Sequence, residues 1–203
     1  MSLTFSAIGQ EKMSPPIPFE INFGHNKYAA QLILNRQLPG TKKFYFFSVN
    51  YVEIDYENNS NSLEFVSASQ IAFDLHKGFG VTTGLSANRG GMAPSLGLRY
   101  IYAHPEFVVG LFPAFVFTKD KNISLFGLVE YRPKLTEKLS LYSRVQGLYS
   151  HNLSLQDHER SYMQFRLGIG IKRYDFGLSA NLDYYNPMKA FADNYGVFLK
   201  VNL

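Results

Sequence analysis

The chain has 203 residues, a length that is enough for one domain or two small ones, and its formal net charge is +4. It has no cysteine, which excludes a disulfide scaffold, thiolate catalysis and cysteine-bound metal. No apolar run approaches the roughly 20 residues of a membrane-spanning helix, and no basic stripe or cluster predicts nucleic-acid binding.

The amino-terminal segment, residues 1–16, precedes any regular pattern. Residues 1–8 are small and apolar, and polar Gln10 and Glu11 follow, which is typical of the end of an export signal or of a frayed terminus. The prolines from Pro15 to Pro18 disfavour a helix and predict an extended approach. We therefore expect residues 1–16 to be a residual export signal or an extended lead-in. Residues 17–203 are expected to form one β-barrel domain.

Apolar and polar side chains then alternate with period two, in runs of about ten residues. Between Met163 and Lys172, for example, the odd positions are apolar and the even positions are Gln, Arg, Gly or Lys. Turn-forming clusters such as Leu38-Pro39-Gly40-Thr41 separate the runs. The pattern predicts twelve strands, with ten as the alternative count, at residues 17–23, 27–36, 43–56, 63–76, 79–88, 92–104, 106–118, 122–131, 138–150, 160–173, 175–185 and 194–203.

The contents of the two faces favour a membrane barrel over a soluble one. The polar face is rich in Gly, Ser, Asn and Gln, whereas the apolar face carries Phe and Tyr near the run ends, as at Tyr131, Tyr149 and Tyr184. Runs of ten residues match the 9–11 that a tilted spanning strand needs. Because lipid tolerates no open sheet edge, we expect an all-β, closed antiparallel up-and-down transmembrane barrel. A soluble ligand-binding β-barrel is the alternative.

The last run, from Tyr195 to Leu203, resembles the carboxyl-terminal recognition strand of Gram-negative outer-membrane β-barrels. The final residue of that superfamily is usually aromatic, and this chain has Leu203 instead. The alternating pattern extends the resemblance over nearly the whole chain. It implies a porin-like protein in the outer membrane of a Gram-negative bacterium, in contact with outer-membrane lipids and inserted by the barrel-assembly machinery.

The lengths of the connections agree with this assignment. If the carboxyl end is periplasmic, the long polar connections at 57–62, 151–159 and 186–193 lie on the external side. The tight turns at 77–78, 104–106 and 173–175 then lie on the periplasmic side. Outer-membrane barrels have short periplasmic turns and longer external loops.

Charged and amide side chains of several runs are expected to face the lumen. The candidate lumen-lining residues are Arg99, Arg144, Arg166, Lys172, Lys200, Glu130, Asp74, Asp183, Gln146, Gln164 and Asn181, with Glu20 as a further anion. In one interpretation, Arg99, Arg144 and Arg166 form a cationic ladder that guides small polar or anionic solutes. In the other, they pair with Glu130, Asp183 and Asp74 and fill a closed barrel.

Catalysis has weaker support in the sequence. Ser150 and His151, with Asp157 and His158, could form a hydrolase site at the external rim, as in a membrane-embedded lipid-modifying enzyme. Sequence neighbours in a polar loop do not establish such a site, so no catalytic residue is assigned. No metal-ligand spacing accompanies the histidines, and neither a metal nor a cofactor is expected. The sequence therefore predicts a narrow porin-like channel or a closed structural barrel.

Overall fold

The alternating runs form twelve antiparallel strands in the computed structural model, which describes residues 16–57 and 62–203. Each strand pairs with its neighbours in the chain, and β1 pairs with β12 to close the sheet. The strands are β1 (Pro18–Gly24), β2 (Lys27–Gln37), β3 (Phe44–Asp55), β4 (Glu64–His76), β5 (Phe79–Asn88), β6 (Gly91–His104), β7 (Phe107–Val116), β8 (Asn122–Tyr131), β9 (Leu139–Asn152), β10 (Asp157–Ile171), β11 (Tyr174–Tyr185) and β12 (Ala190–Asn202). The prediction of a closed barrel with twelve strands is confirmed.

The closing ladder runs from the pair Pro18–Asn202 to the pair Gly24–Gly196. The end of the barrel where β1 begins and β12 ends is called the terminal end. It carries the connections at 38–43, 77–78, 105–106, 132–138 and 172–173. The opposite, distal end carries those at 25–26, 56–63, 89–90, 117–121, 153–156 and 186–189.

Side chains alternate between a buried interior and an exposed outer surface. In β10, Gln164 and Arg166 are buried, whereas Phe165 and Leu167 are exposed. A soluble barrel has the reverse arrangement, with apolar side chains inside. The outer surface is therefore apolar and the interior polar, as a barrel in a bilayer requires. Among residues 16–57 and 62–203, no helix is long and apolar enough to cross a membrane.

Aromatic side chains form two exposed girdles on the outer surface. The distal girdle contains Phe23, Tyr28, Tyr56, Phe117, Tyr149, Tyr184, Phe191 and Tyr195, and the terminal girdle contains Phe44, Phe79, Tyr102, Tyr131, Tyr174 and Phe176. Amphipathic rings at two levels, with aliphatic side chains between them, mark the two headgroup regions of a bilayer.

Two hairpins extend further than the sequence pattern indicates. Strand β10 begins at Asp157, where it pairs with Asn152, and β12 begins at Ala190, where it pairs with Tyr185. The added ends of these strands contain polar residues. Their composition therefore resembles that of a loop, although the backbone forms a strand. The expected loops at 151–159 and 186–193 shrink to 153–156 and 186–189. The expected signal remnant at residues 1–10, and positions 58–61, lie outside the described residues.

The two walls of the barrel differ in the size of their inward side chains. Across β4, β5 and β6, Ala72, Thr82 and Gly97 are aligned in register. In the next row Gly84 and Ser95 are aligned, and the larger Gln70 completes that row on β4. The five small residues of these rows, without Gln70, are called the small-residue wall. The opposite wall, formed by β9 to β12 and β1, carries arginine, lysine, glutamine and tyrosine instead. Free volume inside the barrel is consequently displaced towards β4–β6.

Candidate functional site

The structure places the sequence-predicted lumen residues as follows. The side chains that point inward and are buried are Arg99, Arg144, Arg166, Lys200, Gln146, Gln164, Asn181 and Asp183. Asp74 and Glu130 are half-buried, and each is paired with an inward cation. Lys172 differs, because it lies in the exposed turn after β10, with a left-handed φ of 54°, where it lines a cavity at the terminal end. The backbone reverses there, so the alternation of β10 does not continue to this residue.

The centre of the lumen is crossed by an ion-paired cluster. Glu20 on β1 accepts hydrogen bonds of 2.8 Å from Arg144 Nη2 on β9 and from Arg166 Nε on β10. Arg166 Nη1 also donates to Asn181 Oδ1 at 2.8 Å. All four side chains are almost inaccessible to solvent. Because β1 and β9 are not neighbours in the sheet, these bonds fasten one side of the barrel to another.

A second cluster lies towards the terminal end. Lys200 Nζ is 3.0 Å from Glu130 Oε2 and 3.3 Å from Asp175 Oδ2. The same ammonium lies 4.2 Å from the centroid of the Tyr142 ring, whose hydroxyl donates to Glu130 at 3.0 Å. Arg132 adds a contact of 2.7 Å to Asp175. Two cations thus face two carboxylates in this layer.

A third cluster lies towards the distal end. Arg160 Nη2 donates to Asp183 Oδ1 at 2.8 Å, and its guanidinium lies 4.9 Å from the Tyr185 ring centroid. Glu53 accepts hydrogen bonds from Lys27 Nζ at 3.0 Å and from the Tyr51 hydroxyl at 2.6 Å. Arg160 was expected at the start of a strand, but neither Arg160 nor Glu53 was singled out from the sequence as a lumen residue. The alternation of β3, and the parity of Arg160 with Arg166 in β10, are the signals that indicate an inward position.

An aromatic pair stands in front of the small-residue wall. The rings of Phe47 on β3 and Phe112 on β7 stack with centroids 4.2 Å apart and planes at 8°. Strands β4, β5 and β6 lie between β3 and β7, so the rings meet across the interior. Val49 packs with them, and Phe126 lies against the group. This contact forms an apolar constriction in an otherwise polar lumen.

Arg99 lies on the terminal side of the small-residue wall. Its Nη2 donates to Asp74, and its guanidinium lies 4.6 Å from the Tyr45 ring centroid. The Nε and Nη1 atoms of Arg99 are buried and have no hydrogen-bond partner among the described residues. Of the three arginines of the predicted ladder, Arg144 and Arg166 thus share Glu20, and Arg99 pairs with Asp74.

Two cavities enter the barrel from opposite ends and share no lining residue. The distal cavity has a volume of about 780 Å³ and reaches Leu148 on β9. The terminal cavity, of about 460 Å³, reaches Ser140 on the same strand. The inward-facing residues between these two levels on β9 are Tyr142, Arg144 and Gln146, all buried. A layer of side chains therefore separates the two cavities.

The residues considered for catalysis are not brought together as the sequence grouped them. Ser150 points inward and donates a hydrogen bond to Glu159. His151, the next residue of β9, points to the opposite face of the sheet. Asp157 pairs in the ladder with Asn152 rather than with a histidine. Ser150, His151 and Asp157 do not form a catalytic arrangement.

The closed sheet, the apolar outer surface and the polar interior together define a membrane-spanning β-barrel of the outer-membrane type. No protein-family model and no curated protein matches the chain. Solved structures do match it. The chain is similar to the NanC porin, with 11% identity over 93% of this chain and 99% of that chain and a TM-score of 0.52.

The KdgM porin matches with 12% identity over 92% of this chain and 98% of that chain, at a TM-score of 0.50. LpxR from Salmonella typhimurium matches with 8% identity over 92% and 99% of the two chains, at a TM-score of 0.45. At such low identities the likeness shows the fold alone. The resemblance to outer-membrane β-barrels, stated from the sequence, is confirmed at that level.

Proposed function

We propose that the barrel is a narrow channel for small polar or anionic solutes, closed at rest by the Phe47–Phe112 pair. The observation that carries this proposal is the course of the distal cavity. It reaches Ser95, in the distal row of the small-residue wall, but not Ala72 or Gly97, and the two rings are part of its lining at that level. The NanC and KdgM proteins, whose fold the chain shares, are porins.

The apolar constriction supports a gate rather than a permanent plug. A stacked pair of phenylalanines forms no directional bond to the polar wall, and apolar constrictions close pores by excluding water. The opposite wall is different, because Glu20, Arg144 and Arg166 are joined there by several charge-assisted hydrogen bonds. We therefore place the pathway along β4–β6.

Replacing both Phe47 and Phe112 with alanine should raise the single-channel conductance several-fold. Removal of the two rings joins the distal cavity to the space in front of Ala72, Thr82 and Gly97, which then fills with water. Planar-bilayer recordings in potassium chloride measure the effect. Phe198→Ala is the matched control, because Phe198 is equally buried but packs on the opposite wall against Tyr142.

The control variant should conduct like the unaltered protein. If the double variant folds and also remains closed, the pathway along β4–β6 is wrong. The protein is then a closed structural barrel, the alternative that the ion-paired layer favours.

Arg99 is the first charged residue that a solute would meet beyond the gate on this wall. In the Phe47→Ala, Phe112→Ala background, Arg99→Gln should shift the selectivity from anions towards cations. The substitution leaves Asp74 without its counter-charge, and a carboxylate in a pore favours cations. The reversal potential in a salt gradient measures this shift. An unchanged reversal potential would show that permeating ions do not pass Arg99.

A further inference from the structure

An outward-facing histidine and serine meet at the distal end of β10. The Nε2 atom of His158 lies 3.0 Å from the Oγ atom of Ser161. The Nδ1 atom of the same ring lies 2.9 Å from the backbone oxygen of Asn186, in the turn between β11 and β12. A serine, a base and a group that orients the base are the three parts of an activated nucleophile.

A β-bulge brings the two side chains to the same face. His158 pairs with His151, but Arg160 pairs with Ser150, so the register shifts by one residue between them. In a regular strand, residues three apart point to opposite faces. The shift instead places His158 and Ser161 together on the outer face of the sheet, where Ser161 is half-buried and His158 is buried, with 7% of its surface exposed. Bulges are over-represented beside active sites, where they redirect side chains.

The hydrogen bonds determine the tautomer of His158. A backbone carbonyl only accepts, so the Nδ1 atom must carry the proton that it shares with Asn186. In the neutral ring, Nε2 then has a free lone pair and accepts the hydrogen bond from the Ser161 hydroxyl. The backbone of Asn186 is itself held in place, because the Asn186 N–H donates a hydrogen bond of 2.9 Å to the backbone oxygen of Glu159, inside the bulge. The histidine is thereby held as a base towards Ser161.

The surroundings of Ser161 indicate the substrate. Its two cross-strand partners are Tyr149 and Tyr184, exposed members of the distal aromatic girdle. This girdle lies at the level of the lipid headgroups, where the ester bonds of membrane lipids are found. Ser161, which is half-buried on the outer face of the barrel, is reached from the bilayer and not through the lumen, with His158 buried behind it.

We propose that Ser161 and His158 form a nucleophile and base that hydrolyse carboxylic esters of membrane lipids. The Ser161 oxygen attacks the ester carbonyl and its proton moves to His158 Nε2. The bond to the alcohol then breaks and the alcohol leaves with that proton. Water attacks the acyl-serine and gives its proton to Nε2, and the fatty acid is released as the proton returns to Ser161. This activity is independent of conduction through the lumen.

The first test is hydrolysis of a p-nitrophenyl acyl ester in detergent micelles and of a diacyl phospholipid in vesicles. Ser161→Ala and His158→Gln should each lower the rate by about 100-fold or more. Ser143→Ala is the matched control, because Ser143 belongs to β9 and donates its hydroxyl hydrogen bond to the backbone oxygen of Tyr131, at 3.2 Å, rather than to a histidine. Absence of hydrolysis of both esters by the folded unaltered protein overturns the proposal, as does full activity of Ser161→Ala.

A second test does not depend on the choice of ester. The chain has no cysteine, so Ser161→Cys introduces a single thiol. A base at hydrogen-bond distance favours the thiolate, and alkylation by iodoacetamide at neutral pH should be about tenfold faster than in Ser143→Cys. Addition of His158→Gln should remove the difference. Equal alkylation rates in the two single variants would show that His158 does not activate position 161.

Discussion

Replacing Glu20 with glutamine should lower the free energy of unfolding by about 3–5 kcal/mol. Glutamine keeps the shape of the side chain but leaves Arg144 and Arg166 without the carboxylate that they share. Both guanidinium groups are nearly inaccessible to water, so solvent cannot compensate for the lost charge. Urea titration of the protein in micelles, followed by circular dichroism, measures the change.

Glu64→Gln is the matched control for this prediction. Glu64 begins β4 at the distal rim, where it lies 3.4 Å from Arg89 and 3.6 Å from Arg160, and its side chain is 24% exposed. A pair that water reaches contributes about 1 kcal/mol or less. Equal effects of the two substitutions would mean that water also reaches Glu20, and the central layer would then be open rather than closed.

The buried charges also bear on how the sheet selects its register. Replacing a buried ion pair with well-packed apolar residues is often neutral or stabilising, so stability alone does not explain Arg144 and Arg166. A slip by one residue, however, would turn both arginines into the lipid. Each would then cost about 2–4 kcal/mol near the bilayer midplane. The inward charges therefore disfavour the slipped barrel, whatever they contribute to the correct one.

The period-two pattern was sufficient to predict the architecture. Strand count, closure and the outward apolar face follow from local alternation, because each strand is a repeat of one two-residue unit. The prediction failed where the chain leaves that repeat. Asp157 was assigned to a loop because polar residues continue its ladder. Lys172 lies in a turn rather than in the strand, although it lines the terminal cavity.

The partners of the inward residues could not be predicted in the same way. Glu20 and Arg144 are 124 positions apart and meet only after the sheet has closed. Which side chains face each other across the lumen depends on strand tilt and shear, and neither is written in a single strand. The contact between His158 and Ser161 depends on a bulge, and the alternation on both sides of a bulge looks regular in the sequence.

The second large effect is expected on the outer surface. Leu178 of β11 is flanked in register by Leu167 and Val197, and all three are more than half exposed. In a bilayer this exposed patch contacts acyl chains. Leu178→Arg should therefore make folding into phospholipid vesicles less favourable by about 2–4 kcal/mol. The measurement is the fraction folded against urea concentration, read from the faster migration of the folded barrel on unheated gels.

Leu155→Arg provides the comparison for that substitution. Leu155 is as exposed as Leu178 but lies in the distal turn between β9 and β10, outside the strands. An arginine there remains in water or among headgroups, so the folding free energy should change by less than about 1 kcal/mol. The two positions differ in whether lipid or water surrounds them, and not in burial within the protein. Equal values for the two variants would contradict the placement of the apolar outer surface in hydrocarbon, because only hydrocarbon distinguishes one exposed leucine from the other.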